Sequence, residues 1–368
     1  GSLGGIASTS VIIITLFSPF IGYLLYKKNL HVSKAVILSS LICCVSVIIG
    51  FFFPVRIDVT FWLWAILLYS CAASVVPVWI LLQPRDFINV QLLYIGLLVM
   101  IVSGIAAGIN GTTINAPLFS SQETWMNALG YLWPFLFVTV ACGACSGAHG
   151  LICGGTTCKQ IDNEKDTHFI GYGAMCLEAV LAVCVLTVVL GGLGYDEYLQ
   201  LVWPADGKGN PPLAFALGLG KTMEKAFSTP ISVGTVFGIL LLEGFVVTTI
   251  DTLFRLSRYL LEEFWEVILK TPPSLLKHPF VNSAIITFLA GLLAYTNGYK
   301  TIWPVFGAAN QLLAGLSLLT ISFWLQMHEK KNWFTLIPAI LVMITTITAL
   351  SLLCVKYYQS NNIPLIIA

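Results

Sequence analysis

Apolar residues in this chain come in blocks of about twenty, the length that crosses the hydrocarbon of a bilayer as a helix rising 1.5 Å per residue. Short polar breaks separate the blocks, and the period-two alternation of half-buried strands is absent. We read ten spans, centred near Phe17, Cys43, Leu68, Met100, Val140, Ala182, Leu240, Leu289, Leu313 and Met343. Lipid offers no partner to an unpaired backbone amide, so the spans are predicted to be helical. The pattern predicts an all-α, polytopic membrane protein of about ten transmembrane helices.

Composition sharpens this picture. Of the residues, 57% are hydrophobic and 10% charged, where a soluble domain carries about 25% charged residues. A net charge of +1 argues against a nucleic-acid partner. Lysine and arginine collect in cytoplasmic loops, and alternate loops divide them unevenly. Twelve of the eighteen (Lys27, Lys28, Lys34, Arg85, Lys159, Lys165, Arg255, Arg258, Lys270, Lys277, Lys330 and Lys331) fall on one side, predicted to be the cytoplasmic one. The remainder, Arg56, Lys208, Lys221, Lys225, Lys300 and Lys356, fall on the other. Gly1 then lies outside, without a cleavable signal or an initiator methionine, which predicts further helices upstream. Nine of the ten cysteines sit in or beside spans and Cys158 in a cytoplasmic loop, a pattern of packing thiols rather than a disulfide framework.

Two regions follow from the loops: residues 1–194, and residues 195–368. Ile109–Trp125 and Tyr195–Ser228 are the longer exterior stretches, and within the second Leu213–Leu219 is predicted to be a re-entrant or interfacial piece. The seventh span is predicted not to stop at the membrane: Asp251–Lys270 mixes charged and apolar residues and reads as an amphipathic cytoplasmic helix at the interface. No tandem repeat is visible.

The densest polar chemistry lies in Ala141–Ile161, ACGACSGAHGLICGGTTCKQI. Glycines at 143, 147, 150, 154 and 155 permit close backbone approach and a helix break, and Ser146, His149, Thr156 and Thr157 add polar atoms. A broken helix exposes amides and carbonyls at membrane depth, where transporters coordinate substrate and ions; a close-packed helix end is the plainer alternative. Cys142, Cys145 and His149 share one helical face, a spacing compatible with a soft metal but disfavoured beside ordinary thiol packing. Glu178 and Glu243 fall deep inside spans, as proton carriers or as hydrogen-bonded packing residues. Thr248, Thr249, Asp251, Thr252 and Arg255 mark the end of the seventh span, where Asp251 and Arg255 are four apart and positioned to pair. Trp303 and Pro304 open the ninth span ahead of the adjacent amides Asn310 and Gln311. Arg85 and Asp86 read as a pair anchoring a loop, with Pro84 ending the third span.

Five runs, in order, resemble the carbon starvation protein A (CstA) family of bacterial membrane transporters. They are QPRDFIN from Gln83, WPFLFVTVACGACSGAHGLICGGTTCKQI from Trp133, GYGAMCLEAVLAV from Gly171, TTIDTLFRLSRYLLEE from Thr248 and KTIWPVFGAANQLLAGLSLL from Lys300. The resemblance implies the five-plus-five inverted-repeat fold of the amino acid, polyamine and organocation superfamily. It also implies proton-coupled import of peptides or small carboxylates such as pyruvate across the bacterial inner membrane during carbon starvation. The positions carried over as substrate- or ion-binding are Ser146, His149, Thr156, Thr157, Lys159, Glu178, Thr249, Asp251, Thr252, Arg255, Asn310 and Gln311. Ala148 and Cys158 stand where the family usually has an aromatic and a proline, and the family's glycine-rich helix with paired histidines does not precede Gly1. Neither a cofactor nor catalysis is expected, and the partners are the substrate, a coupling ion and the bilayer. A nutrient sensor without net transport and a metal-dependent intramembrane enzyme are the competing readings.

Overall fold

The computed structural model describes residues 2–114, 116–117, 131–204, 209–296 and 298–359. Gly1, Lys208 and most of the Ile109–Trp125 stretch beyond residue 117 lie outside the described residues. In chain order the helices are α1 (Ser2–Tyr26), α2 (Val32–Phe52), α3 (Val59–Val75), α4 (Leu82–Ile109), α5 (Gly147–Ile152), α6 (Asp166–Gly192) and α7 (Tyr195–Val202), then α8 (Pro211–Phe227), α9 (Ile231–Leu269), α10 (Pro279–Tyr295), α11 (Gly298–Met327) and α12 (Trp333–Gln359). Short helical pieces, Leu132–Leu136, Phe137–Thr139, Ala141–Ala144 and Cys153–Thr157, flank α5. No strand occurs among the described residues.

Seven of these helices are long and apolar enough to cross a membrane, and the bent pair Leu132–Thr139 and Cys142–Thr157 makes an eighth if it counts as one span. The protein is a multi-pass membrane protein. Nine of the ten expected centres lie on helices and Val140 lies at the bend. The shortfall from ten comes from α3 and α10, each 17 residues, or about 25 Å against a hydrocarbon core of about 30 Å. Asp58 starts α3 by accepting the Thr60 amide at 2.9 Å. Pro77 follows the Val76 cap, and the residue before a proline is steered away from helical backbone angles.

The chain folds as two compact units. Residues 1–118 and 163–287 form the first, residues 119–162 and 288–368 the second. In the first, α9 packs against α1, α3, α4 and α8, and α8 also meets α4 and α6. Ile14, Ile21, Ile88, Met100, Val188, Leu219 and Leu241 form its core. The stretch expected to be a re-entrant or interfacial piece lies in the first half of α8, where Ala214, Phe215, Ala216, Gly218 and Leu219 are buried. Its small residues draw a neighbour close: a Cβ on Gly234 of α9 would lie 2.7 Å from the Gly220 Cα. Dispersion between backbones replaces the hydrophobic drive that lipid removes, which is how a 17-residue helix with two lysines, Lys221 and Lys225, holds its place.

As expected, Asp251–Lys270 does not break from the seventh span. It continues the span as the last half of the 39-residue α9, and Asp251, Arg255 and Arg258 are buried. In the second unit α11 packs along α12 and against α5, around Val138, Ala308 and Ala349. Trp303 lies inside α11, five residues past its start, and is exposed.

Candidate functional site

One polar cluster stands out among the described residues of each unit, and the two are built differently. In the first unit Asp251, Arg255 and Arg258 follow one another at spacings of four and three, which lays them along a single face of α9. Asp251 meets Arg85 of α4: Nη1 donates to Oδ2 at 2.6 Å, and the two side chains are 1% and 2% exposed. The Tyr69 hydroxyl of α3 donates to the same Oδ2 at 2.7 Å and accepts from Arg85 Nη1. Asp251 Oδ1 is buried and has no hydrogen-bond partner among the described residues.

Asp251 and Arg255 do share a face, as their spacing predicts, but they do not pair. Arg255 reaches past Asp251 to the end of α3, where Nη2 donates to the carbonyls of Ala73, at 2.6 Å, and Val76. A helix leaves its last carbonyls without intrahelical partners and carries partial negative charge there, so a guanidinium satisfies both needs at once. The early stop of α3 is thereby tied to Arg255. Thr248, Thr249 and Thr252 donate to carbonyls of their own helix three or four residues back, at 2.9–3.2 Å, and Thr249 is exposed.

Sequence reasoning missed two members of this cluster. Arg85 does not anchor a loop: it lies in the first turn of α4 and heads the largest fully buried side chains. A proline three positions into α4 hid that start, because Pro is tolerated in a first turn as readily as it terminates a helix. Tyr69 carries no local signal, since a tyrosine in an apolar helix is ordinary.

In the second unit the broken helix forms around Ser146. The two arms of the bent span are at 56°. Ser146 has extended backbone angles and caps α5, accepting the His149 amide at 3.3 Å. From α11, Asn310 Oδ1 accepts the Ala148 amide at 2.8 Å and Asn310 Nδ2 donates to Ser146 Oγ at 3.2 Å. Two of the amides that every helix N-terminus leaves orphaned are thus satisfied, one by a residue 162 positions away. The contact depends on Gly147, where a Cβ would lie 2.5 Å from Ala314 N and from Asn310 O. Gly143 and Gly154 face open space, so close approach is the role of Gly147 and not of those two.

His149 is exposed and its Nδ1 lies 2.7 Å from Ser146 Oγ; Cys142 Sγ lies 4.0 Å from the same nitrogen. No group of three His, Cys, Asp or Glu gathers for a metal among the described residues. Thr156 is buried, Thr157 half-buried and Lys159 exposed. Gln311 is 5% exposed and its Oε1 has no partner among the described residues. Glu178 of α6 is exposed, so its own unit does not bury it. Glu243 of α9 is half-buried.

Both clusters lie on runs that a family model matches. The model described as carbon starvation protein CstA covers residues 4–209 and 205–349. The chain belongs to the CstA family. Among its relatives, peptide transporter CstA of Escherichia coli (strain K12) is 30% identical over 348 residues, 78% of this chain and 48% of that protein. Pyruvate/proton symporter BtsT of the same organism is 29% identical over 378 residues, 81% and 51% of the two chains. Peptide transporter CstA of Bacillus subtilis (strain 168) is 26% identical over 314 residues, 76% and 52%. This CstA-family chain therefore spans about half the length of the curated relatives it matches. No solved structure matches it.

Proposed function

We propose that this CstA-family chain acts in a secondary transporter of the bacterial inner membrane that imports peptides or small carboxylates such as pyruvate, coupled to protons. The observation that carries this reading is the Arg85–Asp251 ion pair, 2.6 Å long and at most 2% exposed, set in helices of a membrane protein. Ionised groups in a span are expensive and are retained where charge is moved. Asp251 holds α4 and α3 to α9 through one oxygen. Protonating its carboxylate weakens the hold on Arg85 and frees the helices to shift, which couples a proton to alternating access. The broken helix around Ser146, His149, Thr156, Thr157, Lys159, Asn310 and Gln311 supplies amides and carbonyls for the substrate in the same reading. The superfamily's five-plus-five inverted repeat is its expected frame. The names of its relatives support both cargo classes, a peptide transporter and a pyruvate/proton symporter.

Uptake of labelled pyruvate and of a labelled dipeptide into proteoliposomes, with and without an inward proton gradient, tests it. We expect gradient-dependent accumulation of one of them, lost in Asp251→Asn. Accumulation that ignores the gradient overturns the coupling, and no accumulation of either overturns the importer.

A further inference from the structure

Within the first unit, α1, α3, α9 and the start of α8 line a half-open cavity of about 700 Å³, a volume that holds ligands of drug size. Its walls are mostly aliphatic, Ile12 and Val247 among them, with the neutral polar side chains of Ser8, Thr15 and Asn210, and no Lys, Arg or His lines it. One acid does: Glu243, half-buried, which makes no hydrogen bond or ion pair among the described residues. The Trp62 indole and the Tyr69 ring, seven residues apart on one face of α3, complete the polarisable part of the lining.

We propose that this cavity binds an organic ammonium ion with an apolar body, Glu243 supplying the counter-charge and Trp62 the aromatic face. A carboxylate among aliphatic groups is poorly solvated and stays ionised when a cation sits beside it. The space far exceeds what a bare metal ion fills, and a lone carboxylate is not a metal site; no His, Cys, Asp or Glu group of metal-binding size exists among the described residues. An ammonium on an apolar body matches both the charge and the walls. Tyr69 is already committed, with its hydroxyl bonded to Asp251 and Arg85 and the Arg85 guanidinium 5.3 Å from its ring centroid. Trp62 has no ring or cation contact among the described residues and so offers its face to an incoming cation. Arg85 does not oppose that cation, because Asp251 neutralises it at 2.6 Å.

The same carboxylate repels a free carboxylate ligand, so the cavity separates amine-bearing from purely anionic molecules. As a statement about cargo this rests on the transport reading, and it then favours an amine such as a peptide N-terminus over pyruvate. As a binding site it stands without that reading.

The test is calorimetric titration of the whole protein in phospholipid nanodiscs, with no ion gradient. The probes are phenylalaninamide, which carries an ammonium and no carboxylate, its neutral N-acetylated counterpart, and the anion hydrocinnamate. We expect phenylalaninamide to bind at least about tenfold more tightly than either of the others. Glu243→Gln should lower its affinity by about tenfold or more and Trp62→Leu by a smaller factor, with Glu266→Gln, on the exposed end of α9, unchanged. Equal binding of the neutral probe reduces the cavity to an apolar void and overturns the proposal, as does absence of phenylalaninamide binding or indifference to Glu243→Gln. The three-probe comparison needs no variant, so it decides the matter even where a variant fails to fold. Failed uptake in proteoliposomes overturns the transport reading and not this titration.

Discussion

The two units bury polarity in opposite ways. In the first, full charges are buried and answered by charges or by the carbonyl end of a helix: Arg85 on Asp251, Arg255 on the last carbonyls of α3. In the second, a neutral amide side chain, Asn310, takes the place of the missing turn at a helix start. A buried charge that loses its partner is stranded, whereas a neutral cap that is lost leaves one amide unsatisfied. The charged arrangement is therefore close to all-or-none and the neutral one graded. Under the proposed proton-coupled transport, the first suits a switch that a proton throws and the second a site that adjusts to a bound molecule.

The comparison breaks most directly at Arg85. Arg85→Met strands Asp251 at 1% exposure and should cost about 3–5 kcal/mol in thermal or denaturant unfolding of the purified protein. Adding Asp251→Leu should recover most of that loss; if the double variant is no better than the single one, the pair is not what holds the helices. Gly147→Ala comes next, because its Cβ meets backbone at 2.5 Å, with an expected loss of about 1–3 kcal/mol. Gly143→Ala, which meets open space, is its control and should be tolerated. Asn310→Ala removes the α5 cap and should cost about 1 kcal/mol, well under the Arg85 variant; an equal loss would erase the distinction between charged and neutral burial. Smallest of all, Thr249→Val, at an exposed hydroxyl already bonded within its own helix, should stay within about 0.5 kcal/mol in the same unfolding measurement.

Much of this was legible in the chain. Spans of about twenty apolar residues announce helices because lipid permits little else, and a concentration of glycine, serine and histidine at 143–150 announced the break. Short-range spacing also placed Asp251 and Arg255 on one face correctly. Their partners were not legible, since Tyr69, Ala73 and Arg85 lie 166 to 182 residues away along the chain. Glu178 shows the converse. Its position in an apolar run says that it lies on a span but not which way it faces, and in the structure it is exposed.

What the sequence determined by itself is what depends on local physics: helical spans, the bend, the small residues that let helices meet, and a family whose motifs survive in order. The tertiary structure alone decided which residues neutralise one another. It packed Leu213–Leu219 within the 17-residue α8, sent Arg255 to the end of α3 and not to Asp251, and drew residues 131–162 into the unit that holds α11 and α12. The reason is that a buried polar group is satisfied by whatever lies beside it in space, and in a bundle of helices most of those neighbours are distant in sequence.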